Sequence, residues 1–259
     1  MSTLAGKVAL ISGSSLGLGA AIARELYRNG ASVAINYPDQ SEKSNADKVL
    51  QSLDDPSRAI AIEADLSTLD GPRKLADTAA KAFGGRIDIL VNSAGINRQI
   101  LLDDPDDEKV EAAWHDTANL NGRGVFLLTR AVLKYLSHKN SRIVNIGSTA
   151  TQAPTPAGTA YGGSKAMVHY YTQCWAAELA PKYGCTVNAV APGPVGTETY
   201  YATPSFILEA IQPIIDSTPA GKRVGKPEEI AWLVARLCQE EAGWINGAYI
   251  PINGGVCMF

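Results

Sequence analysis

Metal-binding residues are scarce in this sequence, which contains four cysteines and three histidines among 259 residues. The cysteines form no C-x-x-C pair, and no two histidines stand four residues apart on the chain. These spacings argue against the common kinds of zinc site. Cysteines without a disulfide pattern are typical of reduced thiols in the cytoplasm. We therefore expect a cytoplasmic protein without a bound metal.

Signals for a membrane, for secretion and for nucleic acid are missing as well. No apolar run approaches the roughly 18 residues that a membrane span needs, and the sequence contains no Asn-x-Ser/Thr site. The amino-terminal residues show no basic segment followed by an apolar one, so we expect no secretory leader. The formal net charge is −3 and the positive residues are scattered, which gives nucleic acid and anionic lipid no electrostatic reason to bind. We expect neither as a partner.

What the sequence does contain is an alternation of short β-branched runs with longer helical stretches. Strands are predicted over residues 8–12, 32–37, 59–63, 87–92, 142–146, 186–190 and 248–252, and helices over residues 17–29, 41–53, 72–83, 105–136, 157–180 and 227–238. Most of these strands are apolar on both faces, as parallel strands covered by helices are. The pattern predicts an α/β, doubly wound seven-stranded parallel sheet with helices on both faces, a Rossmann fold. We expect residues 1–259 to form a single domain that binds a dinucleotide and carries the catalytic residues.

An irregular segment over residues 193–225 interrupts this alternation. It contains no predicted strand, carries several prolines, among them Pro204, and has aromatic residues at Tyr200, Tyr201 and Phe206. A long connection inside a compact domain is often functional. We expect the segment to cover the substrate; a short helical insertion packed on the surface is the alternative.

The densest run of charge, residues 103–108, is acidic. It predicts the start of a helix, with Asp104 as the N-cap and Pro105 at the first helical position, because carboxylates favour the positive end of the helix dipole. A metal site is the less favoured interpretation of this run.

A glycine-rich turn joins the first predicted strand to the first predicted helix. Glycines at Gly13, Gly17 and Gly19 allow the backbone to turn tightly and to approach a pyrophosphate closely. The helix that follows offers free N–H groups and a partial positive charge to phosphates. Such a turn alone is a weak signal, because glycine-rich turns also arise for packing. Its position between the first strand and the first helix is the one that a dinucleotide fingerprint requires.

Further short motifs follow in a fixed order along the chain. They are Asp65-Leu66, Asn92-Ser93-Ala94-Gly95, residues 191–197 (A-P-G-P-V-G-T), residues 225–230 (G-K-P-E-E-I) and residues 252–255 (I-N-G-G). Together with the G-x-x-x-G-x-G spacing of the turn, they resemble the short-chain dehydrogenase/reductase family over essentially the whole chain. Ser93 departs from the N-N-A-G element that the family carries at that place.

The resemblance implies that a nicotinamide dinucleotide binds along the strand ends. The implied cofactor-binding residues are Gly13, Ser15, Leu16, Gly17, Leu18, Gly19, Asn36, Tyr37, Asp65, Leu66, Asn92, Ala94, Gly95, Tyr161, Lys165, Pro192, Gly193, Val195 and Thr197.

The choice between NADP(H) and NAD(H) depends on the end of the second strand. Asn36-Tyr37 resembles the NADP-dependent reductases, whereas NAD enzymes usually carry an acidic residue there. Leu16 stands where an arginine would bind the 2′-phosphate, and Asp39 is near enough to repel it. We expect NADP(H), with NAD(H) as the alternative.

Tyr161 and Lys165 form a Y-x-x-x-K pair, which places both side chains on one face of a predicted helix. Reduction of a ketone requires a proton for the developing alkoxide, and a neighbouring ammonium lowers the pKa of a phenol towards neutrality. The same spacing occurs at Tyr135 and Lys139, so the pattern alone is weak. The resemblance selects Tyr161, which lies thirteen residues beyond Ser148, the position of the family's substrate-binding serine. A turn or helix-cap serine is the alternative for Ser148.

The fourth catalytic residue of the family is an asparagine in the preceding helix. Family segments usually read N-x-x-G-x-F, which selects Asn121 with Gly124 and Phe126. Asn119 with Gly122 fits the form N-L-x-G. We expect Asn121, with Asn119 as the alternative.

The resemblance therefore implies an NADP(H)-dependent oxidoreductase that transfers hydride between nicotinamide and a ketone or secondary alcohol. The pattern is similar to that of 3-oxoacyl-ACP reductases and fungal polyketide ketoreductases, which implies a carbonyl reductase acting on a bulky or polyketide-like substrate. A homo-oligomer, a tetramer or a dimer packed through helices 105–136 and 157–180, is also implied. A cofactor-binding pseudoenzyme or a non-redox biosynthetic enzyme is the alternative, although neither would need Asn121, Ser148, Tyr161 and Lys165 together.

Overall fold

A seven-stranded sheet forms the centre of the computed structural model, which describes residues 3–203 and 205–258. The strands are β1 (Val8–Ile11), β2 (Ser32–Tyr37), β3 (Ala59–Glu63), β4 (Ile89–Asn92), β5 (Ser141–Ile146), β6 (Cys185–Pro192) and β7 (Tyr249–Ile252). They pair in parallel in the order β3-β2-β1-β4-β5-β6-β7, and Ala9 of β1 pairs with Val33 of β2 and with Ile89 of β4. The strand order reverses between β1 and β4, which opens a ligand crevice at their carboxyl ends. The predicted doubly wound sheet is confirmed.

Helices cover both faces of this sheet. They are α1 (Gly17–Arg28), α2 (Lys43–Gln51), α3 (Gly71–Ala82), α4 (Asp107–Thr117), α5 (Val125–Val132), α6 (Thr159–Tyr183), α7 (Glu198–Tyr201), α8 (Ser205–Asp216) and α9 (Pro227–Leu237). One core cluster packs α1, α2 and α9 against one face, and the other packs α3, α5 and α6 against the opposite face. Successive residues of β1 contribute to opposite clusters, Leu10 to one and Ile11 to the other. Both faces of the strand are therefore buried, which explains its continuous apolar run.

Among the helices of the described residues, none has both the length and the apolar character that a bilayer crossing demands.

The helix predicted over residues 105–136 has three parts in the structure. It consists of α4, a π-helical turn over Ala118–Gly124 and α5. Glycines permit the close packing of that turn, because a Cβ at Gly124 would stand 2.6 Å from the carbonyl oxygen of Leu66. The structure is thus helical without a break over residues 107–132, and the π-helical turn within it was not predicted; π-helical turns often mark functional sites.

The predicted start of that helix was wrong by two residues. Asp106, not Asp104, is the N-cap of α4, and its carboxylate accepts a hydrogen bond from the backbone N–H of Lys109 at 3.0 Å. Asp104 lies two residues earlier, where its carboxylate pairs with the Lys109 ammonium at 2.6 Å. Pro105 therefore precedes the helix rather than opening it.

The segment over residues 193–225 contains the helices α7 and α8. A parallel β-bridge between Val195 and Gly225 joins the two ends of the segment. Pro204 and the side chains of Phe206 and Ile207 lie outside the described residues. The segment is thus partly helical and anchored at its base beside the end of β6.

Candidate active site

The glycine turn between β1 and α1 leaves no room for side chains. Gly13 and Gly17 both adopt a left-handed backbone with φ of 58°, which residues with a Cβ rarely adopt. A Cβ at Gly13 would stand 2.7 Å from the Cα of Ala94, and a Cβ at Gly19 would overlap the carbonyl oxygen of Gly13. The turn therefore packs directly against the loop after β4 and presents its backbone to the crevice.

A cavity of about 610 Å³ lies in front of this turn at the carboxyl ends of the strands. Its size is within the range of ligand sites. Most of the predicted cofactor residues line it: Gly13, Ser15, Leu16, Gly17, Leu18, Gly19, Asn36, Asp65, Leu66, Ala94, Gly95, Tyr161, Lys165, Pro192, Gly193, Val195 and Thr197.

Three predicted cofactor residues have side chains that mainly contact the protein itself. Asn36 reaches the cavity wall, but its amide oxygen accepts a hydrogen bond from the Gly13 N–H at 2.9 Å and its amide nitrogen donates to the carbonyl oxygen of Ala64 at 3.0 Å. It therefore connects the glycine turn to the end of β3. Tyr37 packs in the hydrophobic core and Asn92 is buried in a side-chain network; neither lines the cavity.

A carboxylate already occupies the N-terminal end of α1. The Glu198 side chain, from the first residue of α7, accepts a hydrogen bond from the Gly17 N–H at 3.0 Å. This contact shows that the N-terminus of α1 takes an anionic oxygen, as expected from its free N–H groups and its dipole. The turn, the cavity and this contact all fit the pyrophosphate of a dinucleotide.

The proposed catalytic side chains come together on the opposite wall of the cavity. Ser148 follows β5, while Tyr161 and Lys165 lie one turn apart on α6. The Ser148 hydroxyl accepts a hydrogen bond from the Ala150 N–H at 3.1 Å and lies near enough to the Tyr161 hydroxyl to influence its pKa. The Lys165 Nζ lies 5.8 Å from the centroid of the Tyr161 ring. Lys165 is buried, and its Nζ donates to the carbonyl oxygen of Ile146 at 2.9 Å. Ser148 therefore forms one cluster with Tyr161 and Lys165, although it lies thirteen residues before Tyr161 on the chain.

Burial dominates the electrostatics of this cluster. It raises the pKa of Tyr161, and the hydrogen bond with Ser148 opposes that rise only in part. It also lowers the pKa of Lys165 to about 8, because removal from water disfavours the charged form of either group. The expected lowering of the Tyr161 pKa by Lys165 is therefore not found. The phenol stays protonated near neutral pH and is able to donate a proton.

Asn121 is fully buried in the π-helical turn, behind the cavity wall. Its amide oxygen accepts a hydrogen bond from the Ile96 N–H at 2.9 Å, and its amide nitrogen donates to the Ile96 carbonyl oxygen at 2.8 Å. A Cβ at Gly95 would stand 3.2 Å from the Asn121 oxygen and 3.3 Å from the Lys165 Nζ. Asn121 thus lies beside Lys165, whereas Asn119 is half-buried at the start of the turn.

The alternative pair at Tyr135 and Lys139 lies elsewhere. The Tyr135 hydroxyl donates to the Asp77 carboxylate at 3.1 Å, beyond the end of α5, and Lys139 is exposed. Neither residue lines the cavity of the proposed site.

Several residues of the site had no signal in the sequence pattern. Glu42 and Arg98 line the cavity, and Glu42 contacts the Ser15 hydroxyl at 3.4 Å. Asp39, considered from the sequence as a neighbour of a 2′-phosphate, instead accepts hydrogen bonds from Ser41 in a short 3₁₀ turn. For Glu198 alone the sequence offered an indication, because this residue directly follows Thr197 of the predicted cofactor-binding motif.

Comparisons with known proteins agree with this geometry. The profile of a family described as enoyl-(acyl carrier protein) reductase matches residues 13–257. A short-chain dehydrogenase from Burkholderia cenocepacia, crystallised in complex with NADP, is 38% identical, with a TM-score of 0.87 over 98% of this chain and 99% of the other. The chain belongs to the short-chain dehydrogenase/reductase family.

Two curated relatives of this short-chain dehydrogenase/reductase carry specific names. The 3-oxoacyl-[acyl-carrier-protein] reductase of Synechocystis sp. is 38% identical over 261 residues, which cover 100% of both chains. The hydroxynaphthalene reductase of Aspergillus fumigatus is 35% identical over 269 residues, which cover 97% of this chain and 95% of the other. The chain is accordingly an oxidoreductase that acts on CH–OH or C=O groups.

Proposed function

We propose that this oxidoreductase reduces a ketone to a secondary alcohol, with Tyr161 as the proton donor. The observation that carries the proposal is that Ser148, Tyr161 and Lys165 line one and the same cavity as the glycine turn. Both hydroxyl groups donate to the carbonyl oxygen, which polarises the C=O bond. A nicotinamide cofactor held along the glycine turn and the strand ends would supply the hydride that the carbonyl carbon accepts. The Tyr161 O–H proton passes to the oxygen as the alkoxide forms. The raised pKa keeps the phenol protonated before the transfer, and a phenol is still a stronger acid than the alcohol that forms.

Lys165 and Asn121 support this transfer. The Lys165 ammonium stabilises the negative charge left on the Tyr161 oxygen. Asn121 holds the backbone of Ile96 on both its N–H and its C=O, which fixes the chain beside Gly95 and Lys165.

The substrate in this proposal is a bulky or polyketide-like ketone, covered by residues 193–225. Val195 and Thr199 of that segment line the cavity together with the apolar Ile96 and Leu120. The names of the two curated relatives, which denote a 3-oxoacyl thioester and a hydroxynaphthalene, support a β-ketoacyl or planar aromatic ketone.

NADP(H) is the proposed cofactor, supported by the NADP complex of the Burkholderia relative. Glu42 favours NAD(H) as a second candidate, because its carboxylate lines the cavity close to the glycine turn. A negative charge there binds a ribose hydroxyl and repels a 2′-phosphate. The ratio of the NADPH and NADH dissociation constants decides between them.

A homo-oligomer is part of the proposal. Trp114, Phe126, Met167 and Tyr170 are large apolar side chains on the α4–α6 face, and each is between 37% and 67% exposed. Such a group of exposed apolar residues is typical of an interaction surface.

The test is a panel of ketones assayed with NADPH and with NADH. We expect oxidation of NADPH with a β-ketoacyl thioester or a hydroxynaphthalenone, and little with acetone. Tight cofactor binding without turnover across the panel would instead support the pseudoenzyme.

A further inference from the structure

Tyr249 contacts the backbone of Ser148 with both functions of its hydroxyl group. This residue opens β7, at the edge of the sheet, and its side chain reaches past β6 to the chain that leaves β5. The Ser148 N–H donates to the Tyr249 oxygen at 2.9 Å, and the Tyr249 hydroxyl donates to the Ser148 carbonyl oxygen at 2.8 Å. One phenol thus forms hydrogen bonds with both backbone polar groups, the N–H and the C=O, of Ser148.

These bonds act where the strand pairing ends. The Gly147 N–H still donates to the carbonyl oxygen of Val190 in β6 at 2.8 Å. Ser148 has left the sheet with an extended backbone (φ −165°, ψ 149°) and begins a short 3₁₀ turn. The Tyr249 hydroxyl therefore provides the hydrogen bonds that a neighbouring strand would otherwise provide.

Gly147 and His169 both contact Tyr249 and restrict the position of its hydroxyl group. A Cβ at Gly147 would stand 2.5 Å from the Tyr249 oxygen, so the contact needs glycine there. The Tyr249 ring stacks on His169, with centroids 3.9 Å apart and planes 22° apart. His169 lies one turn beyond Lys165 on the same face of α6. The ring is thus held against the helix that carries Tyr161 and Lys165.

We propose that Tyr249 is a positioning residue for Ser148, which it fixes so that the serine hydroxyl meets Tyr161 and the substrate oxygen. The inference rests on the proposed role of Ser148 in ketone reduction. Tyr249 acts through the Ser148 backbone and takes no part in proton transfer.

The variant Tyr249→Phe removes both hydrogen bonds to Ser148, together with the longer one from the Thr151 hydroxyl at 3.4 Å, and keeps the ring. We expect kcat to fall roughly tenfold, the magnitude that the loss of a hydrogen bond or two gives, with an unchanged cofactor dissociation constant. Because Tyr249 acts through Ser148, the same change in a Ser148→Ala background should lower the residual kcat less than about twofold.

Tyr27→Phe is the matched control. The Tyr27 hydroxyl accepts a hydrogen bond from the Asp55 N–H at 2.6 Å and donates to the Asp55 carbonyl oxygen at 3.1 Å, which is the same arrangement away from the cavity. This variant should lower the unfolding temperature and leave kcat unchanged. His169→Ala, which removes the stacked ring and keeps both hydrogen bonds, should give a smaller fall in kcat that also disappears in the Ser148→Ala background.

Two results would overturn the positioning role: an unchanged kcat in Tyr249→Phe, or an equal loss in both backgrounds. Full activity in Ser148→Ala alone would instead remove the proposed role of the serine, and the positioning role with it. The activity of Ser148→Ala alone therefore distinguishes failure of the proposed function from failure of this inference.

Discussion

The two walls of the cavity are built from different parts of the chain. The glycine turn occupies residues 13–19 and presents mainly backbone, so its function depends on the absence of side chains at Gly13 and Gly19. The opposite wall collects the functional groups of Ser148, Tyr161 and Lys165 from β5 and α6. Substitutions in the turn are therefore expected to act through steric overlap, whereas substitutions in the cluster remove an atom that we propose takes part in the reaction.

The largest effect on kcat is expected from a substitution in the cluster of Ser148, Tyr161 and Lys165. Tyr161→Phe removes the proton donor and should lower kcat about 1,000-fold, within the range for general acid catalysis, while the cofactor dissociation constant stays within about twofold. Steady-state kinetics and fluorescence titration measure the two quantities. Tyr135→Phe is the control from the alternative Y-x-x-x-K pair and should keep full activity. A Tyr161→Phe enzyme with more than a tenth of the original kcat would refute the assignment.

The pH dependence should report the Lys165 ammonium. Its pKa is lowered to about 8, so the group is charged below that pH and neutral above it, while the raised pKa of Tyr161 keeps the phenol protonated. The ratio kcat/KM for the cofactor, which reports groups of the free enzyme, should be level below about pH 8. Above it we expect a fall of up to tenfold per pH unit.

Lys165→Arg supplies the control for this profile, because a guanidinium keeps its charge over the whole range. Its activity will be lower, but the change near pH 8 should disappear. A wild-type profile that stays level to pH 10 would contradict the assignment.

A smaller effect, on the cofactor dissociation constant, is expected from a substitution in the glycine turn. Gly19→Ala forces a shift of the backbone at Gly13 and should raise the cofactor dissociation constant about tenfold. Gly163→Ala is the control, because a Cβ there meets nothing within 4 Å, and alanine should stabilise α6 by up to about 1 kcal/mol. Unchanged cofactor binding in Gly19→Ala would show that the turn does not hold the dinucleotide.

The smallest effect concerns the carboxylate at the N-terminus of α1. Glu198→Gln removes a negative charge from the place proposed for the pyrophosphate and should tighten cofactor binding roughly threefold, in keeping with helix-terminus charge effects. The gain should shrink at high salt. Glu209→Gln, on the exposed side of α8, should leave the affinity unchanged. Weaker binding by Glu198→Gln would mean that this residue assists the cofactor.

Local patterns were sufficient to predict the fold and much of the cavity wall. The apolar runs and their spacing predicted each strand of the sheet to within two residues. The glycine turn was placed correctly between β1 and α1, because its signal lies in consecutive residues. The helix over residues 105–136 was predicted without its π-helical turn at Ala118–Gly124. A Cβ at Gly122 or Gly124 in that turn would meet Met167 or Leu66, which are distant in sequence.

By itself, the sequence determined the order of strands and helices, the backbone turn that suits an anion, and the spacing of Tyr161 and Lys165 on one helix. These features follow from side-chain periodicity and from the conformational freedom of glycine, which act over a few residues. Only the tertiary structure decided that Glu198 reaches Gly17, that Tyr249 holds Ser148, and that burial raises the pKa of Tyr161. Those contacts join residues that lie far apart on the chain, and both desolvation and hydrogen bonding depend on where the folded chain places them.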